Sequence, residues 1–279
     1  MRRVASGLLA ACCLSGALAL GAERLALPDH PSVAQIVERN AAARGGLDAW
    51  RKIRTMAWAG HAESTSAPGR KVPFLLEEKR PGMTRFEVMA PNERSVRIFD
   101  GKEGWTMRPA PSGRPRLQPY STEELNFARD SEVIDGPLMA AAAKGYKLEF
   151  GGAAMIDGRM AYMVSFRPRP GAIHRVWLDV KTFLEVEDER SFTTASGRRV
   201  RVALEYRDYH DFKGLKIPVV IESKGARGSN KLVIDKVALN PRLKDGLFAR
   251  PRAPDSHRRG VIVDTRRPPV GGSAFAPAH

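Results

Sequence analysis

Cysteine is nearly absent: the 279-residue chain holds two, Cys12 and Cys13, both inside its first apolar stretch. A protein trimmed of that stretch has no disulfide, no thiol nucleophile and no thiolate for a metal. Catalytic signatures are also missing. There is no Gly-x-Ser-x-Gly elbow, no Ser-x-x-Lys, no His-Glu-x-x-His, no P-loop and no Gly-x-Gly-x-x-Gly. The six histidines, His30, His61, His174, His210, His257 and His279, never fall at ligand spacing on one element, which argues against a metal site. The expectation is a protein that is not an enzyme and carries no cofactor.

What is present begins with "MRRVASGLLAACCLSGALALGA", two arginines followed by an apolar run and small residues at Ala19, Gly21 and Ala22. This reads as a secretory signal peptide over residues 1–22. Two alternatives compete with it. A membrane anchor would need the mildly apolar run from Val4 to Leu20 to cross a hydrocarbon layer of about 30 Å. Lipidation at Cys12, in the lipobox-like Leu9-Ala10-Ala11-Cys12, would leave the apolar "LSGALALG" unexplained on the mature chain. The expected location is the periplasm, with an anchor through Cys12 as the alternative.

The formal net charge is +15. Removing the two leader arginines leaves +13, and removing the five arginines and two aspartates after Arg250 leaves +10 on the body. Such an excess favours anionic surfaces. Behind a leader these are phospholipid headgroups or lipopolysaccharide rather than nucleic acid; scattered solvated arginines are the plainer reading.

From Ser32 to Arg44 the apolar residues recur at helical spacing, with Ser32 as N-cap and Gly45-Gly46 as stop. "LDAWRKIR" then predicts a short helix with Leu47, Trp50 and Ile53 on one side. After Thr55 the pattern alternates: Met56 with Trp58, Phe86 with Val88, Val96 with Ile98, a two-residue turn at Asp100-Gly101, then Trp105 with Met107. Two helices follow, one capped by Ser121 with Glu124, one running from Pro137 to Gly145. Seven more strands occupy the rest. The fold class is therefore mainly β with a few helices (α+β), an antiparallel sheet that curls into a half-open barrel covered by helices. One domain over residues 23–250 is expected, and a disordered Pro/Gly/Arg-rich tail over 251–279.

Candidate ligand-binding residues form an apolar stripe: Met56, Trp58, Phe86, Val88, Ile98, Trp105, Met107, Tyr162, Val164, Phe166 and Leu204. They either fill the core beneath the helices or line a cavity that short alanine-rich helices fail to fill. Two polar groups are read as solvated rather than catalytic: His61 with Glu63, on the strand face opposite Trp58, and Asp130, Glu132 and Asp135 at a helix junction.

The succession of helix, Gly-Gly, tryptophan helix and long strand, then "FDGKEGWTM", "DSEVIDGPLMAAAAKGYKLEFGG", "IDGRMAYMVSF", "VWLDVKTFLEVEDER", "DYHDFKGLKIPVVIES" and "LVIDKVALNPRLKDGLFARP", resembles the LolA-like and LolB-like outer-membrane lipoprotein-sorting proteins, in their broad uncharacterised branch. The likeness covers residues 32 to 251. It implies an eleven-stranded half-open barrel whose concave apolar face takes the acyl chains of a lipid or lipoprotein, in lipoprotein sorting or a related transport. In the sorting carrier an arginine near the lid holds the closed state, and none here is matched to it. The receptor member's protruding apolar loop has no counterpart in "ESTSAPGRKVP", which is polar. Related architectures that bind protein partners supply the alternative, an envelope-stress sensor or scaffold.

Overall fold

The computed structural model describes residues 30–251, apart from 91–92, 111–114, 132–133, 195 and 226–227. The leader expected at 1–22, its Cys12 alternative, Glu132 and nearly all of the tail lie outside the described residues.

Helix α1 (Val33–Ala43) starts where predicted: the Ser32 hydroxyl accepts from the Gln35 backbone N–H at 3.2 Å and the Gln35 side chain accepts from the Ser32 N–H at 2.8 Å. It stops at Gly45, whose φ of 108° suits glycine and whose missing side chain lets the Gly214 carbonyl come close; a Cβ would sit 2.1 Å from that oxygen. Helix α2 (Leu47–Arg51) follows at once. Its Trp50 is fully buried, donates its indole N–H to the Arg44 carbonyl at 2.9 Å and lies under the Arg44 guanidinium, 4.4 Å from ring centre.

The strands are β1 (Thr55–Ser64), β2 (Ala67–Lys79), β3 (Met83–Ala90), β4 (Glu93–Phe99), β5 (Gly104–Arg108) and β6 (Arg116–Pro119), then β7 (Glu149–Ile156), β8 (Arg159–Phe166), β9 (Ala172–Asp179), β10 (Glu185–Thr193), β11 (Arg199–Phe212), β12 (Leu215–Gly225) and β13 (Gly228–Leu239). They form one antiparallel sheet in the order β6-β5-β4-β3-β2-β1-β13-β12-β11-β10-β9-β8-β7. Each run is a meander of hairpins, and the two meet where β1 pairs with β13. Helices α3 (Thr122–Asp130) and α4 (Pro137–Ala143) connect the outer strands β6 and β7.

The sheet has thirteen strands, not the eleven implied by the resemblance. The additional ones are β2 and β6. The polar "ESTSAPGRKVP" is a hairpin whose return arm already belongs to β2: from Ala67 to Pro73 it pairs with β1, and β3 joins only at Phe74. Its prolines are tolerated because that stretch has an open side. The Asp100 turn is longer than the expected two residues. Ile98 faces Trp105, and the Asp100 side chain accepts from the N–H groups of Lys102 and Glu103.

Three of the four apolar clusters lie between the sheet and another segment. Helices α1 and α4 press Ile36, Leu138 and Ala141 onto Val164, Phe166, Val176 and Leu178. Helix α2 and Met139 cover Met56, Leu215 and Ile217. A 3₁₀ turn at Asp245–Leu247 brings Leu243 and Phe248 against Val96, Ile98 and Trp105. The fourth cluster draws only on strands: Ala62, Phe74, Phe86, Val88, Val219, Ile221, Leu232 and Ile234, all at 9% exposure or less. Strand side chains screened this well without a helix among them require a strongly bent sheet.

Candidate functional site

Register separates the two faces of the sheet. Trp58 stands beside Leu76 on one side and Val237 on the other; Leu76 stands beside Phe86, and Phe74 beside Val88. Across the seam Ala62 neighbours Leu232, Leu232 neighbours Ile221, and Ile221 neighbours Tyr206. These residues share the concave face. Following it outward, Phe86 meets Arg97, Val88 meets Ser95, and Arg97 meets Thr106 on β5. In the other direction Leu204 meets Asp188, Asp188 meets Val176, and Arg190 meets His174. The concave face is apolar at its back and charged on both flanks.

Helix α3 joins those flanks. Near its start, Glu124 pairs with Arg97 at 3.0 Å, and the guanidinium lies over Tyr120. Near its end, Asp130 pairs with Arg169 at 2.9 Å, Ser131 accepts from Arg190 at 2.6 Å, and Arg190 lies over Phe127. Strands β4 and β10 are seven positions apart, which in a flat sheet is roughly 34 Å. A nine-residue helix reaches only about 13 Å. The eight strands from β4 to β10 must therefore bend into an arc that α3 closes, the size at which a barrel interior holds its own side chains or one small ligand. Yet α3 has no buried residue of its own. Seven of its nine residues, Leu125 and Phe127 among them, are half-buried, and arginines hold it at both ends.

The flank beneath α3's C-terminal end is unusually polar for an interior. Asp188 is completely buried and takes both Nε and Nη2 of Arg190, at 2.8 and 2.7 Å. His174, 3% exposed, lies tilted against Phe166 with ring centres 4.8 Å apart and leaves Nδ1 without a partner among the described residues. Burial, with Arg190, Arg169 and Lys144 nearby, lowers its pKa to about 3, so the ring is neutral. Burial also pushes the Asp130 carboxyl up against the pull of Arg169 and Arg190.

Eight of the eleven residues of the predicted stripe share the concave face by register, beneath different cover, and three do not. Trp58, Phe86, Val88 and Leu204 belong to the concave back. Met56 lies under α2, and Tyr162, Val164 and Phe166 lie with α1 and α4, where the alanine-rich helices pack closely and leave Val164 fully buried. Ile98, Trp105 and Met107 stand on the convex face: Ile98 pairs with Trp105 and Val96 with Met107, out of phase with Arg97 and Thr106, and Leu243 and Phe248 cover them. In "RSVRIFD" both parities carry apolar residues, so alternation alone cannot say which faces inward. Concave residues absent from the stripe, notably Phe74 and Leu76 on β2 and Ile221 and Leu232 across the seam, are visible as apolar alternation only once those strands are assigned to the same face.

His61 does face away from Trp58, with Nε2 3.4 Å from Glu63 and Nδ1 3.3 Å from Asp235. Asp130 and Asp135 do not form a joint site: Asp135 pairs with Arg80, while its backbone carbonyl accepts from Arg44 at 2.6 Å. Two recesses open elsewhere. One of about 490 Å³, at the hairpin tips, is lined by charged residues including Glu63, Lys71 and Lys231. The other, about 330 Å³, lies between Trp105, Leu117, Tyr120 and Arg250. No helix among the described residues is long and apolar enough to cross a membrane.

No protein-family model and no curated protein matches the sequence. Solved structures do match. A DUF1329 family protein from Desulfovibrio piger aligns over 79% of this chain and 98% of its own, with 12% identity and a TM-score of 0.52. A LolA superfamily protein from Nitrosomonas europaea aligns over 78% and 98%, with 15% identity and a TM-score of 0.50. A domain from Vibrio parahaemolyticus named for outer-membrane lipoprotein sorting aligns over 77% and 94%, with 12% identity and a TM-score of 0.49. The open, curved antiparallel sheet with its helices is the fold of LolA superfamily structures, as the resemblance implied.

Proposed function

We propose that this protein is a periplasmic carrier that shelters the acyl chains of a lipid or lipoprotein against its concave apolar face, by burial and without a covalent step. The observation that supports this most is α3: it closes the arc of strands but none of its residues is fully buried. Displacing it sacrifices a few ion pairs and the contacts of half-buried side chains such as Leu125 and Phe127, and opens the way to Phe74, Phe86, Val88, Ile221 and Leu232. Each methylene of a guest chain laid there would contribute about 0.8 kcal/mol. The periplasmic placement follows the leader read at residues 1–22, and lipoprotein sorting is one transport such a carrier would serve.

The test is native purification from envelopes followed by lipid mass spectrometry of the protein fraction. The expected result is a co-purifying lipid or acylated peptide near one per chain, displaceable by a fluorescent fatty acid. Protein that emerges empty and ignores the fatty acid overturns the reading. A protein partner is the second reading, favoured by Met155 and Met160, which face each other across the outer hairpin β7–β8 at 58% and 45% exposure. A single stoichiometric protein, without lipid, in the same purification would support it.

A further inference from the structure

The carrier reading concerns acyl chains; the polar flank under α3 bears on what heads them. Arg169 is paired with Asp130, but its Nε is buried and has no hydrogen-bond partner among the described residues. The neighbouring His174 keeps an unpartnered Nδ1 at 3% exposure. Arg190 stands on the same flank with Nε and Nη2 on Asp188 and Nη1 on the Ser131 hydroxyl just past α3, so lifting the helix frees Nη1. Phe192 lies 5.9 Å from the Arg169 guanidinium, and Phe127 lies 5.2 Å from that of Arg190, so aromatic rings border both cations. A two-oxygen carboxylate delivered by a helix leaves Arg169 Nε unused here, and His174 Nδ1 as well in the tautomer that protonates it. A three-oxygen acid group could meet them.

We propose that Arg169, Arg190 and His174 form a receptor for a phosphate-monoester headgroup of an acyl-chain amphiphile, and that the Asp130 carboxylate of α3 occupies this receptor when no ligand is bound. The proposal rests on the carrier reading for the position of the chains. Lifting α3 withdraws Asp130 and leaves the half-buried Arg169, partly shielded from water, without its paired anion. An incoming phosphate restores the pairing. Burial works against ionised Asp130 while Arg169 and Arg190 favour it. Arg97 and Glu124 repeat the arrangement at the other end of the helix, with Arg97 Nη1 likewise unpartnered among the described residues. A chain running along the apolar back between these flanks would leave its acidic end at the Arg169 rim. The order of events follows: exchange of one anion for another releases the helix at that end and exposes the apolar face as the ligand arrives.

The experiment titrates the purified protein, by calorimetry, with dioctanoyl phosphatidic acid, dioctanoylglycerol of the same chains, and inorganic phosphate. The expected result is a preference for the phosphatidic acid over the diacylglycerol of at least tenfold. Arg169→Gln should cut that ratio at least tenfold, and Asp130→Asn, which removes the seated negative charge without touching the receptor, should raise phosphatidic acid affinity three- to tenfold. Equal affinity for the two lipids, unmoved by Asp130→Asn, overturns the headgroup receptor while leaving the carrier reading intact. Binding of inorganic phosphate as tight as that of the lipid overturns the amphiphile in favour of free phosphate. Failure of both lipids to bind defeats the carrier reading and this proposal together. Should Arg169→Gln fail to fold, the Asp130→Asn comparison decides alone.

Discussion

His174 shows how a single buried group couples charge to stability. Its folded pKa of about 3 lies well below the ordinary value of 6.5, because burial and the adjacent arginines and lysine oppose a charged ring. Between those two values the unfolded chain binds a proton that the folded chain refuses. Stability is therefore complete above pH 6.5 and falls as the pH drops toward 3, by about 1.4 kcal/mol per pH unit. Urea denaturation between pH 7 and pH 4 should reveal this slope, and His174→Phe, which keeps an aromatic ring beside Phe166, should flatten it. A slope unchanged by the substitution would assign the acid sensitivity to other groups. Glu78 has the opposite sign. Burial raises its pKa well above the ordinary carboxyl value, so this group weakens the fold as the pH rises through the range between them.

Elements differ in how they are attached. Helix α4 buries five of its seven residues and α3 buries none. One is fixed by fully buried apolar contacts and the other by ion pairs and half-buried side chains, so the ability to move is concentrated in α3. The C-terminal 3₁₀ turn behaves like α4. Phe248, 1% exposed, covers Ile98 and Trp105 on the convex face. Phe248→Ala should cost about 3–5 kcal/mol, measured by urea denaturation, and should shift tryptophan emission to the red as Trp105 meets water. The same substitution should leave acyl-chain binding unaffected, since it lies on the face away from the proposed cavity.

At the scale of the whole molecule, one pairing joins two independent meanders. The β1–β13 seam carries a register shift at Ala59/Gly60, and Gly60 lets the two backbones approach closely: a Cβ there would lie 1.9 Å from the Val233 carbonyl oxygen. Gly60→Ala should destabilise the protein by about 1–3 kcal/mol through the forced shift of one strand against the other. It should also loosen the bend on which the concave face depends. Hydrogen exchange would show faster amide exchange along both β1 and β13, whereas protection lost from β1 alone would mean that the seam does not transmit the strain.

What the sequence determined by itself was local: the capping boxes at Ser32 and Ser121, the Gly45 stop, the tryptophan helix, and eleven of the thirteen strands, because each depends on neighbours within a few residues. Strand β2 escaped because Pro68, Gly69 and Pro73 look like a turn until the open side of that stretch is known. The allocation of faces was decided only by tertiary structure. Ile98 and Phe86 alternate equally well, and pairing of Phe86 with Arg97 is what sends Ile98 outward. The polar flank is likewise a product of curvature: Arg97, Asp130, Arg169, His174 and Arg190 are spread over almost a hundred positions, and no spacing rule joins them. Alternation specifies two faces of a strand but not which one is inside, and only the closed arc under α3 makes that choice.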